Sequence, residues 1–160
     1  MTSTIAESPV RTATAADEEA IMTLCRLLHE ENGAFSMSDE KVRNELRRAF
    51  DRQGGLIGVI DGPDGLEGII LLTIDQLWYS DDWMLQELFN FVHPDHRRST
   101  HAKRLIEYAK DCATHLKIPL LIGVLSNTRT EAKVRLYERM LPKGGAYFIF
   151  NGPVGSEKAH

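Results

Sequence analysis

The sequence predicts an α/β fold of the α+β kind, with a mixed, mostly antiparallel central sheet flanked by helices. Three observations lead there. Two aliphatic runs, Leu56 to Ile60 and Leu66 to Ile74, are joined by Asp61-Gly62-Pro63-Asp64-Gly65. That is a hairpin signal, since glycines supply positive φ and proline fixes its own. Other stretches repeat apolar residues at helical spacing before and after the hairpin. Between the last two helical stretches lies Ile118 to Leu125, apolar almost throughout, the pattern of a strand buried on both faces. Helices interleaved with a hairpin and later βαβ pieces imply a sheet with helices packed on it.

The elements follow in order. Residues 1–8 are small and polar, without periodicity, and are expected to fray. Pro9 to Thr14 alternates weakly as a first strand. Ala16 opens a helix with Ile21, Leu24, Leu27 and Leu28 on one side. Asp17, Glu18 and Glu19 suit its first turn, and Gly33 ends it. Ser38 is the N-cap of a second helix, with Lys41 where a capping box would carry Glu. Val42, Leu46, Ala49 and Phe50 form its apolar face, and Gly54-Gly55 break it.

After the hairpin, Asp75 to Asp82 reads as an irregular loop with Trp78 and Tyr79 among aspartates. Trp83 to Val92 is a strand, stopped at His93-Pro94 because proline cannot donate to a ladder. From Arg97 the period is helical, with Ala102, Leu105, Ile106, Ala109 and Ala113 on one side, as far as Lys117. Thr128-Arg129-Thr130-Glu131 is a full capping box opening a last helix that carries Val134, Leu136, Tyr137 and Met140. Pro142 and Gly144-Gly145 end it, and Ala146 to Phe150 is the expected final strand. One domain over residues 9–150 is expected, with a polar tail over 151–160.

With 160 residues, the chain has room for one core. Apolar residues make up 42% and charged residues 26%, as in an ordinary soluble protein. A net charge of −4 argues against a general nucleic-acid binder, which wants a basic face. Cys25 and Cys112 lack the spacing of a redox pair or metal site, and read as small buried hydrophobes in a reducing cytosol. The N-terminus lacks a basic segment followed by an apolar one, and no stretch approaches the ~20 apolar residues that span a bilayer. A cytoplasmic protein without a membrane partner is expected; a homodimer is left open.

The chemistry sits in Phe91-Val92-His93-Pro94-Asp95-His96-Arg97-Arg98-Ser99-Thr100-His101-Ala102. A strand ends, a short basic loop follows and a helix begins. The first amides of a helix lack internal partners, and its dipole places positive potential there. Arg97, Arg98, Lys103 and Arg104 add cationic charge, so the segment suits a diphosphate. A capped amphipathic helix with a solvated basic end accounts for the same residues, and a nucleotide binder would use the same helix start. His93, His96 and His101 lack a Cys or carboxylate at ligand spacing, so no metal is expected. No G-x-S-x-G elbow surrounds Ser99.

The segment resembles the acyl-CoA-binding motif of the GNAT acetyltransferase superfamily, V-x-P-x-x-R-G-x-G-x-G/A. Val92, Pro94, Arg97 and Ala102 match in register, whereas Arg98 and Thr100 stand where the family has Gly. Glycine there lets the backbone approach a pyrophosphate closely. The resemblance covers roughly residues 9–150, including the element order, Asn127 after the next strand, and the helical pair Leu136-Tyr137. It implies the GNAT-like acyl-CoA N-acyltransferase fold, with acetyl-CoA as cosubstrate and transfer of its acetyl group to an amine acceptor.

On that resemblance, amides around Phe91 and Val92 hold the pantetheine arm and polarise the thioester carbonyl. Amides across Arg98, Ser99, Thr100, His101, Ala102 and Lys103 hold the pyrophosphate, with Arg97 and Asn127 in the cofactor site. Tyr137 is the candidate general acid for the departing thiolate, or alternatively an aromatic on the apolar helix face. Glu87 is the candidate base, although its frame lies one residue off the family's commonest position. A strand bulge would correct that frame. Otherwise Glu87 is a solvated or salt-bridged strand carboxylate. Gln86 and Asn90 are placed to position a water or the substrate. Trp78, Tyr79 and Trp83 with Asp75, Asp81 and Asp82 either line a pocket for a cationic acceptor or form a surface loop. A non-catalytic acyl-CoA-binding or protein-interaction module on the same fold is the competing expectation.

Overall fold

The computed structural model describes residues 9–33, 35–124, 130–146, 148 and 150. The elements are β1 (Val10–Thr12), α1 (Glu18–Asn32), α2 (Asp39–Phe50), β2 (Gly55–Gly62), β3 (Gly65–Gln76), β4 (Trp83–Val92), α3 (His101–Leu116), β5 (Leu120–Leu121) and α4 (Thr130–Met140). The five strands form one sheet in sequence order, antiparallel throughout except for the parallel pair β4–β5. This is the predicted mixed, mostly antiparallel sheet.

Both faces of the sheet are covered, and β2 and β3 show why. Ile57, Val59, Ile69 and Leu71 point to one side, where Ile21 and Met22 of α1 and Leu46 of α2 meet them. Their neighbours Ile60, Ile70 and Leu72 point to the other side, against Leu105 and Ala109 of α3. Successive strand residues face opposite ways, so a run without alternation is the signature of two covered faces. Gly58 sets how closely α3 approaches: a Cβ there would lie 2.7 Å from Cε1 of the Tyr108 ring. The hairpin turn is tighter than the five residues of the sequence signal, since Gly62 pairs with Gly65 and only Pro63 and Asp64 connect them. Gly65 takes φ +132°, which a side chain would resist.

Ser38 caps α2 as expected, its Oγ accepting from Lys41 N–H at 3.3 Å. Arg43 and Arg47 of α2 bond Glu18 of α1, which keeps the two helices side by side on the sheet.

Three expectations need correction. The first concerns α3, which begins at His101 rather than Arg97. Pro94–His96 forms a 3-10 turn, and Ser99 Oγ then donates to the His96 carbonyl (2.5 Å) and accepts from His101 N–H (3.2 Å). The serine thereby closes the loop and holds the first N–H of the helix, whose N-cap residue is Thr100. The second is β5, which is two residues long instead of eight, with Leu121 40% exposed. Strand β4 has its bulge at Leu88, two residues past Gln86, where the pairing with β5 stops, and a bulge bends the strand that carries it. The third is the strand expected over 146–150. Its described residues Ala146, Phe148 and Phe150 lie outside any strand, and the two phenylalanines are exposed. An extended segment needs a ladder partner, and β5 offers an edge of only two residues.

Candidate active site

The site forms where β4 and β5 part. Their pairing stops at Gln86↔Leu121, and past that point no described strand continues the sheet beyond β4. Helices α1 and α2 close one side of the gap, and α4 closes another. A cavity of about 730 Å³ results, walled by Leu28, Met37, Val42 and Phe89 and opening onto Glu87, Asn90 and Tyr137. A smaller groove of about 130 Å³ runs from Asn90 and Tyr137 along Phe91 and Val92 to Arg97, Ser99 and Ala102. Asn90, Lys133 and Tyr137 border both spaces.

A bulge separates Glu87 from Phe89 and Asn90. Leu71 pairs with Phe89 and Leu72 with Glu87, leaving Leu88 as the extra residue. The bulge therefore stands at the point where the sequence left the Glu87 frame in question. Glu87 is 9% exposed. Burial pushes its carboxyl up to about 7, against smaller opposing contributions from the Gly123 N–H, from Asn90 and from the charge of Lys133.

Asn90 Nδ2 donates to Glu87 Oε1 at 3.1 Å and to the Tyr137 hydroxyl oxygen at 2.6 Å. With its oxygen accepting from Asn90, Tyr137 has its own proton free to donate elsewhere. Burial, and next the Glu87 charge, raise the Tyr137 hydroxyl above its ordinary value, so it stays protonated through neutral pH. The arrangement offers a carboxylate that changes charge near pH 7 and a neutral hydroxyl donor, held by one amide.

The predicted cofactor residues are partly gathered. Phe91, Val92, Arg97, Ser99 and Ala102 line the groove together with Tyr137. Arg98, Thr100 and Lys103 follow in the same loop and first turn but do not line it. Arg97 Nη2 bonds Glu31 of α1 at 2.5 Å and its guanidinium lies 5.4 Å from the Phe91 ring centre, so its charge is tied to α1. His101 Nε2 is 2.6 Å from Glu67, and the residue is only 5% exposed. Its backbone N–H is taken by Ser99. The first α3 bond to a helical carbonyl is Arg104 N–H to Thr100 (3.0 Å), so the N–H groups of Ala102 and Lys103 precede the ladder and face outward. Neither Arg98 nor Thr100 takes a positive φ, so this loop does not require glycine's left-handed freedom. Asn127 lies outside the described residues.

The aromatic loop does not border the cavity. Trp78 is 94% and Tyr79 69% exposed, packed edge-on to each other at 5.4 Å. Residues that the sequence did not single out do border it: His29 from α1, Lys41 from α2 and Lys133 from α4. Only Lys133 had a signal, lying one helical turn before Tyr137 on the same face. Cys25 also reaches the wall as a buried thiol, pushed up to about 12 by that burial. Among the described residues no three His, Cys, Asp or Glu side chains cluster to hold a metal ion, and no helix is long and apolar enough to cross a membrane.

No family model matches the sequence, and no curated protein matches it. Solved structures do match the fold. AAC(6')-Iy, in complex with the bisubstrate analogue CoA-S-monomethyl-acetylneamine, superposes with TM-score 0.72 at 15% identity, over 91% of this chain and 97% of its own. The ribosomal-protein-alanine N-acetyltransferase of Brucella melitensis gives TM-score 0.67 at 17% identity, over 88% and 98%. A GNAT family acetyltransferase of Staphylococcus aureus gives 0.63 at 13%, over 91% and 99%. The chain has the fold of the GNAT acetyltransferases.

Proposed function

From this fold we propose that the chain is an acetyl-CoA-dependent N-acetyltransferase of the GNAT superfamily, moving an acetyl group to a primary amine by direct attack. The observation that carries the proposal is the Asn90 bridge between buried Glu87 and Tyr137, at the mouth shared by the two cavities. The smaller groove takes the acetyl-CoA arm along the open edge of β4 at Phe91 and Val92. The outward N–H groups of Ala102 and Lys103, with Ser99 and Arg98 beside them, take the pyrophosphate. The amine enters from the larger cavity.

An amine attacks only as the free base, and Glu87, changing charge near 7, accepts its proton. The nitrogen bonds the acetyl carbon, the C–S bond breaks, Tyr137 gives its proton to the thiolate, and the second proton of the nitrogen returns to the Tyr137 oxygen. The two residues are coupled. Part of what holds Tyr137 above its ordinary value is the Glu87 charge, and that charge disappears when Glu87 takes the amine's proton. Proton uptake at one end therefore makes the hydroxyl a better donor at the other.

The test is a thiol-release assay with acetyl-CoA and a panel of amines, beside thermal-shift measurements with CoA and with ATP. Turnover with stabilisation by CoA is expected. Stabilisation by CoA with no turnover would make the chain a binding module, and stabilisation by ATP alone would remove acyl transfer.

A further inference from the structure

The charges around the larger cavity select its acceptor. Glu87 is the sole carboxylate among the described lining residues, and its carboxyl is buried. Two ammonium groups border the same space, Lys41 from α2 and Lys133 from α4, the latter close enough for its charge to act on Glu87, and the His29 imidazole of α1 lines it as well. Two acids of the neighbouring helix positions are engaged by arginines. Asp39 pairs with Arg26 at 2.8 Å, and Glu31 with Arg97. Lys41 Nζ forms no ion pair with a described residue. The rest of the wall is apolar, with Leu28, Met37, Val42 and Phe89.

A polyamine or aminoglycoside brings several cations and would meet like charge from both lysines with one carboxylate to receive them. A zwitterion meets the opposite situation. Its amine has Glu87, its carboxylate has a lysine, and its body has the apolar wall. Resting on the acetyltransferase reading above, we infer that the acceptor is a small primary amine that also carries a carboxylate and an apolar body, as an apolar α-amino acid does.

The test compares kcat/KM for leucine, methionine and phenylalanine with their carboxamides, spermidine, kanamycin and a peptide with a free N-terminus. The free acids are expected to exceed their carboxamides by about 10-fold, the scale of one charge-assisted hydrogen bond. Lys41→Ala should erase that ratio by raising KM for the free acids, and Lys41→Arg should keep it. Equal rates on acids and carboxamides, or preference for spermidine, kanamycin or the peptide, would overturn the inference and leave the transferase intact. Stabilisation by CoA without turnover on any amine would instead bring down the transferase reading, and this inference with it.

Discussion

Replacing Glu87 by Gln keeps the shape of the side chain and removes its titration. In the folded chain burial lifts this carboxyl from 4.5 to about 7. At 1.36 kcal/mol per pH unit, charging it in place costs about 3 kcal/mol. The sign follows from proton binding: the folded state holds this proton more tightly than the unfolded chain. The associated stability is fully present below 4.5 and is lost as pH rises through 7. Gln carries no such dependence, and every other titrating group is common to both proteins. The stability of Glu87→Gln relative to wild type should therefore grow by about 3 kcal/mol between pH 4.5 and 8. In a chain of this size that widens the gap in Tm by roughly 6–12 °C. The assay is thermal unfolding of both proteins across that range, run beside steady-state kinetics. Wild-type kcat/KM should rise with pH through a midpoint near 7. The variant should lose that limb and about 100-fold or more in kcat, the scale of a positioned base. A stability gap that does not change with pH, or a variant that keeps the limb, would refute the assignment of Glu87 as a buried base.

Tyr137→Phe should lower kcat by roughly 100-fold while leaving CoA affinity within about twofold, since it removes a proton donor and not a wall. Calorimetry beside kinetics separates the two effects. Asn90→Ala removes a hydrogen bond that lowers the Glu87 carboxyl, so the midpoint of the pH limb should move above 7. An unmoved or lowered midpoint would deny the bridge. Gly58→Ala inserts a methyl 2.7 Å from the Tyr108 ring, and overpacking of this kind should cost about 1–3 kcal/mol in chemical denaturation.

How much could be read beforehand depended on whether a feature was local. The runs Leu56 to Ile60 and Leu66 to Ile74, the Ser38 cap and the glycine ends are written in neighbouring residues, and they lie where the periodicity placed them. The bulge at Leu88 is different, because it belongs to the pairing of β4 with β3 and no residue type announces it. Strand β5 stops after two residues, where the apolar run from Ile118 had promised a long strand. Arg97 read as a loose cation beside the helix start because its partner Glu31 is 66 residues away. Ser99 fell inside the helix expected from Arg97, whereas its two hydrogen bonds hold it in the loop ahead of His101. Within the candidate site, Glu87, Asn90 and Tyr137 were each noticed in the sequence. Their meeting through Asn90 was not legible, since it spans strand and helix, and neither was the charge of the cavity set by Lys41 and Lys133.

The most direct measurement is a crystal structure of the chain with acetyl-CoA. The pyrophosphate is expected on the N–H groups at the start of α3, and the sulfur beside the Tyr137 hydroxyl with its acetyl group toward Glu87. A ligand held elsewhere, or the Arg98 side chain folded across the helix start so that no phosphate reaches those N–H groups, would contradict this placement.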